Sequence, residues 1–449
     1  VSDWNGSVFT PGDDGYAAEL NTNNQSVEHR PALVVAAADT ADVVRAVQYA
    51  RAHGLSVAVQ TTGHGMSLPS DGVLISTQRL NRVEIDAGTR IARVQGGARW
   101  LDVIPAAAAY GLAPLNGSSP QVGVVGFMLG GGVGMLGRQH GYAADHIRSL
   151  RIVTADGEER RVDPDSDPEL FWAVRGGKGN LGVVTQIEFD LFEVSDLYGG
   201  GLYFPAETVA QLLELYVAWT LDLPRTMSTS ILLSRYPDIE QVRAELRGKY
   251  VAHLRVAYFG PAEEAERLLR PVRELDAPLL DTVGAMPYTD IGTIHHEPVG
   301  PYSVYESGFY TGYLAASDTR TILKRVGPDV NAPLIFELRH HGGGYRTLPA
   351  ISNPVGGRDA EFTIYIGSVI DPPAMTTDKA IHTAIRDDFA HVDRGTVLNF
   401  LGAHTDFETI HRAFLPEDAG RLIAVQQKRD PQNVFCINHR LAAQEGASH

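Results

Sequence analysis

Residues 116–137 read NGSSPQVGVVGFMLGGGVGMLG, and residues 60–66 read QTTGHGM. The longer stretch holds eight glycines among small apolar residues, with no lysine or arginine. Glycine loses more conformational freedom on folding than any other residue, so this density marks backbone that turns through φ > 0 or lies close against a ligand. The shorter stretch sets Thr61, Thr62, Gly63 and Gly65 around one histidine, His64. Two glycine-rich loops with a histidine and almost no cations predict a bound cofactor whose phosphates are met by backbone N–H groups.

The rest of the composition narrows the class. A chain of 449 residues suits about two or three domains. Its net charge of −16 argues against nucleic acid, which is bound through lysine and arginine patches. The longest apolar runs, such as IPAAAAY, are too short to span a bilayer, so no membrane is expected. The single cysteine, Cys436, excludes an internal disulfide and any all-cysteine metal site. It fits a reducing compartment, and a cytoplasmic location is the expectation. The chain opens at Val1 without an evident leader, which leaves room for one already removed.

Periodicity divides the chain. Asp39 or Thr40 caps a helix with the stripe Val43, Val44, Val47 and Ala50, which stops at Gly54. LSVAVQ (55–60) is a buried strand that delivers the chain into the His64 loop. RVEID with RIARVQ, and SLRIVTADGEERRV with Asp156-Gly157 at its tip, read as hairpins. RWLDVIPAAAAYG and ELFWAVRGG read as helices, and VVTQIEFDLF as a half-buried strand. Beyond about residue 197 amphipathic helices at 206–221, 261–275, 317–327 and 376–390 alternate with MSTSILLS, AHLRVAYF, PLIFELRH, FTIYIGSV and TVLNFL. The expectation is an α+β chain of two domains rather than a clean βαβ repeat. Residues 1–197 form a cofactor domain to which 399–449 return. Residues 198–398 form a substrate domain of antiparallel sheet backed by helices.

The glycine stretch has three readings. Gly132-Val-Gly134-Met-Leu-Gly137 matches the G-x-G-x-x-G fingerprint of nicotinamide-binding Rossmann domains, with Asp156 at about the right distance. That reading leaves the His64 loop idle and places Asp156 in a hairpin tip. A P-loop is excluded, because no Gly-Lys-Ser/Thr follows. Simple tight turns would explain one loop better than two of matching chemistry.

The third reading is a resemblance. RPALVVAAADTADVVRAVQYARAHGLSVAVQTTGHG, VQGGARWLDV, GSSPQVGVVGFMLGGGVGMLGRQHGYAADHI, VTADGEERRVDPDSDPELFWAVRGGKGNLGVVT and DPQNVFCINHRL occur in this order. Together they resemble the berberine-bridge-enzyme-like FAD-linked oxidases, of the vanillyl-alcohol-oxidase type with a PCMH-type FAD-binding fold. The resemblance implies FAD carried covalently on His64 through its 8α carbon, with Thr61, Thr62, Gly63 and Gly65 beside the pyrophosphate. Relatives with a second link use a cysteine where this chain has Ser119, so it implies one attachment, with Ser119 near the ring. Val122 aligns with the position that controls dioxygen access, and valine there goes with oxidases. Gly123, Gly126, Gly130, Gly131 and Gly132 would let the backbone approach the cofactor. Asn180, Gly182 and Val184 would border the adenine side, and Asn438 would reach the isoalloxazine ring. Phe127 stands where some relatives have a histidine.

The implied reaction moves a hydride from a small alcohol, sugar or polyketide-like secondary metabolite to the flavin and then both electrons to O2, giving H2O2. A flavin-dependent dehydrogenase using another acceptor, and a silent binding module that keeps the cofactor cage, are the alternatives. Relatives often take the substrate proton on a tyrosine after the asparagine of VLNFLG, where this chain has Asn399-Phe400. On the alternating run PLIFELRHHGGGY, Phe336, Leu338 and His340 face one way and Glu337 and Arg339 the other. Glu337, as a base with a raised pKa or as a substrate anchor, is the first candidate, with His340, His341 and Tyr345 behind it. The competing reading is a Glu337–Arg339 pair on a solvated face. His295-His296-Glu297 and His404 with His411 lack metal-site spacing, so no metal is expected.

Overall fold

The structure, a computed structural model, describes residues 4–65, 68–330, 334–370, 375–402, 406–437 and 439–441. Near the amino end, Ser7–Phe9, Leu33–Ala36, Val73–Ser76 and Val57–Gln60 form one sheet in that order. Helix Thr40–His53 joins the second and fourth of these strands. The Asp39 carboxylate accepts from Asp42 N at 3.0 Å at its start, and Gly54 ends it at φ 65°. Both strands run parallel to Val73–Ser76, so this sheet holds a single βαβ-type crossover within a chain that is otherwise α+β, with antiparallel sheets. LVVA lies in an alanine- and valine-rich run without a turn signal, which hid it.

A second, antiparallel sheet follows in the order Val83–Asp86, Ile91–Gln95, Val183–Asp190, Ile147–Val153, Glu159–Val162. Both expected hairpins are in it. Asp156 sits at a hairpin tip, bonded to Arg160 at 2.6 Å. Gly132, Gly134 and Gly137 lead into one helical turn, Gly137–His140, rather than from a strand into a full helix. The nicotinamide-binding reading is therefore overturned.

From Asp196 to Thr396 the described residues build a nine-stranded antiparallel sheet. Its middle runs Tyr250–Tyr258, Met227–Arg235, Leu334–His340, Phe362–Val369 and Val304–Thr311. One face packs on helices: Leu212 and Tyr216, Leu269, Ile322 and Ile385 close over Leu254, Ile231, Phe336 and Ile364 in one apolar cluster. TVLNFL is not a strand throughout. The strand ends at Thr396, and Leu398–Phe400 is a 3₁₀ turn whose Asn399 side-chain amide donates to Phe127 O at 2.9 Å. The last helix, Pro416–Arg429, lies against Pro168–Val174 through Lys428–Glu169 and Arg429–Asp167 pairs. Val57 N then donates to Val434 O at 2.7 Å, tying the tail to the first sheet.

Arg138, at the end of the glycine stretch, seams the two halves. It is buried, and its guanidinium donates to Met227 O at 2.8 Å, Leu223 O at 3.1 Å and the His341 carbonyl, and meets His340 Nε2 at 2.8 Å. Burial lowers its pKa to about 10. Removing the fork strands several buried carbonyls at once. Arg138→Ala is expected to cost about 3 kcal/mol, and Arg138→Lys most of that, since an ammonium cannot span the same acceptors. Urea unfolding with an unchanged midpoint for Arg138→Ala would contradict this.

Candidate active site

The face of the nine-stranded sheet away from its helices looks across a cavity of about 1160 Å³ toward the two glycine loops. The first loop is fixed by Asn23 N and Asn24 N, which donate to Thr62 O at 2.9 Å and Gly63 O at 2.8 Å. Gly63 has φ 57°, and a Cβ there would lie 2.6 Å from the Thr22 side chain. The second loop is stitched to the segment before helix Trp100–Ala108: Val124 N donates to Ala98 O, Trp100 N to Val122 O and Leu101 N to Pro120 O. At Gly65 and Gly126, both on the wall, a Cβ would meet nothing within 4 Å. The glycines there keep space open rather than easing a clash. Gln60 Oε1, another wall residue, is buried without a partner. A cavity of this size, with glycine backbone at one end and side-chain chemistry at the other, fits FAD.

His64 sits on this wall between the halves. Its Nδ1 is 2.5 Å from Asn23 Nδ2, and its Nε2 is 3.3 Å from the Tyr302 hydroxyl and 3.9 Å from Glu297 Oε2. With the amide NH2 as donor, Nδ1 accepts and Nε2 carries the proton. Burial lowers the imidazole pKa, with Glu297 opposing, so the ring is neutral at physiological pH.

Of the other expected cofactor residues, Thr61, Thr62, Gly63, Val122 and Gly123 line the cavity, as do Gly130, Gly182 and Val184. The Thr61 hydroxyl is engaged within the protein, 2.8 Å from Thr77 Oγ1 and 3.2 Å from Gly96 O. Four expected residues are off the wall. Ser119 is buried in a turn whose carbonyl accepts from Val122 N, and Ser118 takes the wall position. Gly131 and Gly132, at φ 100° and 77°, turn the chain so that their carbonyls accept from Ala144 N and Ala143 N. Asn180 donates to His439 O at 2.9 Å and holds the tail. Asn438 lies outside the described residues, as does His404.

The catalytic candidates separate as the strand alternation requires. Phe336 and Leu338 enter the helix-side core, and His340 on that face is bound to Arg138. The Tyr345 hydroxyl donates to Gly134 O at 2.9 Å, and His341 stacks on its ring, so neither reaches the cavity. Glu337 does line it, but its expected raised pKa is wrong. Burial opposes ionisation, yet Arg339 and then Arg255 hold the carboxyl at about 2. Its oxygens lie 2.8 Å from Arg255 Nη1 and 2.8 Å from Arg339 Nη2. The pair with Arg339 exists, buried at the cavity floor rather than on a solvated face.

The residue that sequence reading passed over is Lys178. It follows Gly177 at φ 65°, unusual for a side chain with a Cβ. Its backbone N–H donates to Leu129 O, and Nζ donates to Asn399 Oδ1 at 2.9 Å. Asn399 in turn fills the space at Gly130, where a Cβ would fall 1.9 Å from its Oδ1. Burial lowers the ammonium pKa to about 8, with Glu306 opposing. A lone cation inside GGKGN was the available signal. Tyr302 and Glu297 arrive from 294–304 by tertiary packing and carry no local signal.

Comparison with known proteins agrees with this geometry. The family described as "FAD binding domain" matches residues 31–163. The chain is 28% identical to (R)-6-hydroxynicotine oxidase of Paenarthrobacter nicotinovorans, over 97% of this chain and 96% of that protein. It superposes on crystalline 6-hydroxy-D-nicotine oxidase of Arthrobacter nicotinovorans with a TM-score of 0.85 at 25% identity, covering 98% of both chains. The BBE-like 1 protein of Physcomitrella patens shares the fold, with a TM-score of 0.83 at 18% identity over 98% of both chains. The chain thus carries an FAD-binding domain, is similar from end to end to an FAD-linked oxidase and has the fold of the berberine-bridge-enzyme-like proteins, which makes it an FAD-linked oxidoreductase.

Proposed function

We propose that this chain is an oxidase that carries FAD through a single covalent link on His64, takes a small alcohol, sugar or polyketide-like molecule as substrate, and uses dioxygen as final acceptor. When bound, FAD supplies a two-electron sink that dioxygen regenerates with release of hydrogen peroxide. The observation that carries the reading is the neutral His64 imidazole on the cavity wall, between two loops whose Gly65 and Gly126 leave open space. Asn23 orients the ring by donating to Nδ1, and Glu297 Oε2, 3.9 Å from Nε2, would take the Nε2 proton and so free that nitrogen's lone pair for the link, with the flavin's 8α carbon giving up a hydrogen in exchange and dioxygen removing the electrons. Cys436 does not line the cavity, and Ser118 and Ser119 occupy the second loop, which supports one link rather than two.

Glu337, ionised and doubly paired, is too weak a base to take a substrate proton near neutrality. Lys178 Nζ is better matched, since a general base works best with a pKa near the working pH. Phe400 lines the same cavity, and Tyr365, whose ring packs on it 5.0 Å away, has a pKa raised by burial and then by Glu306. The phenol therefore stays protonated, donating to Glu306 Oε2 at 3.2 Å.

Acid-precipitated protein is expected to retain its yellow colour and a fluorescent band in a denaturing gel, and His64→Ala to lose both. Colour in the supernatant of the parent protein would remove the covalent link. Val122→Leu is expected to slow re-oxidation by dioxygen roughly tenfold, about 1.4 kcal/mol on the barrier, while anaerobic bleaching by substrate persists. Stopped-flow traces showing unchanged re-oxidation would dismiss Val122. Lys178 accepts a proton only as the free amine, so kcat/KM should climb with pH to about 8 and level above it. Lys178→Met should abolish that limb and lower the rate roughly 10²–10⁴-fold. A parent-like pH profile in the variant would refute the assignment.

A further inference from the structure

The sheet face that floors the cavity has a charge pattern set by its register. Arg255, Ser230 and Arg339 are directly paired across three neighbouring strands, Tyr250–Tyr258, Met227–Arg235 and Leu334–His340. The two arginine backbones thus stand two strand spacings apart, roughly 10 Å, with the small Ser230 between them. Glu337 lies two residues along from Arg339 on the same face and reaches back to both guanidiniums. One carboxylate, Glu337, is shared by two arginines, and Glu297 is the next carboxylate to act on Arg339. The neighbouring His253 and His295 add no charge. Burial, followed by Arg255, pushes both well below the usual imidazole range, so they are neutral.

The cluster also has donors to spare. Arg339 Nε is buried without a hydrogen-bond partner, while the same side chain is 14% exposed and on the cavity wall. The charges that face the cluster from elsewhere are Glu297, beside His64, and the Lys178 and Glu306 pair deeper in. Over the whole described wall, five arginine and lysine side chains face three carboxylates, in a chain whose net charge is −16. The cavity is thus of opposite sign to the molecule around it. At its mouth the wall changes character: Ile239, Val299 and Val369 all line it and are 49%, 80% and 59% exposed.

We infer that the substrate is an amphipathic organic anion, its carboxylate or equally acidic oxygen held by Arg339 at the floor, with the charge of the fully bonded Arg255 behind it, and its apolar body running out past Ile239, Val299 and Val369. The inference rests on the oxidase reading for the chemistry that follows binding, but the binding itself depends only on the sheet floor and the apolar rim. Arg339 presents a fork to an anion, Arg255 backs it, and Glu337 spaces the two and repels a second negative charge. A cationic amine meets the wrong field at this floor.

The test uses the purified protein with its FAD and three probes of one skeleton: 3-phenylpropanoate, 3-phenylpropanamide and 3-phenylpropan-1-amine. Binding is measured by calorimetry and by perturbation of the flavin absorbance. The acid should bind about tenfold tighter than the amide, and the amine more weakly than either. Arg339→Gln should level acid and amide, Arg339→Lys should keep the preference, and Glu337→Gln should tighten the acid severalfold. A residue that merely supported the fold would not shift affinity in opposite directions for Arg339→Gln and Glu337→Gln. An amine that binds as well as the acid, no acid binding at millimolar concentration, or an unchanged acid-to-amide ratio in Arg339→Gln overturns the inference. If Arg339→Gln does not fold, the Glu337→Gln result decides, with unchanged acid affinity counting against it. Calorimetric acid preference in a protein that takes up no FAD would sink the oxidase reading and leave the anion site standing. Flavin-bearing protein without the preference would do the reverse.

Discussion

An apolar face of an antiparallel sheet must be covered, and among the described residues the long helices cover only one face of this sheet. That asymmetry shapes the molecule. The uncovered face is tolerable because its residues are not uniformly apolar: Arg255, Glu337, Arg339 and Tyr365 replace what would otherwise be core. The glycine loops across the gap hold their distance because Gly65 and Gly126 have no Cβ to fill it. The cavity is thus the space between two well-packed bodies rather than a defect in either.

Desolvation decides the chemistry of that space. The same burial acts differently on each titratable group according to its partners. Glu337, between two guanidiniums, stays ionised; Lys178, with an amide and a more distant Glu306, drifts toward neutrality; His64, opposed only by Glu297, is neutral. An isolated carboxylate at the Glu337 position would have behaved as the sequence reading expected. One neighbouring strand, carrying Arg255, reverses the sign.

How much was legible follows from which interactions are local. Asp39 with Gly54, the hairpin at Asp156-Gly157 and the alternation of PLIFELRH depend on residues within a few positions of each other, and all could be read. The division of faces along Leu334–His340 could be read too, and it correctly opposes Glu337 to His340. The cross-strand neighbour could not be read from one strand, so Arg255 and its effect on Glu337 were missed. Ser119, Gly131, Gly132 and Asn180 were placed by their blocks of sequence, which locate a loop but do not say which side chain turns inward. Lys178 escaped because a glycine run reads as backbone, and a cation inside it was not weighed.

The Arg138 seam has a consequence for traffic. Its guanidinium ties the end of one glycine loop to carbonyls at Leu223, Met227 and His341, on two separate segments of the other half, 223–227 and 341. Hinged opening of the two halves would have to break all of these around a buried guanidinium, which disfavours movement along that line. Passage is left to the rim, and the width and greasiness of three aliphatic side chains there, rather than domain motion, set which molecules get in and how fast spent product leaves.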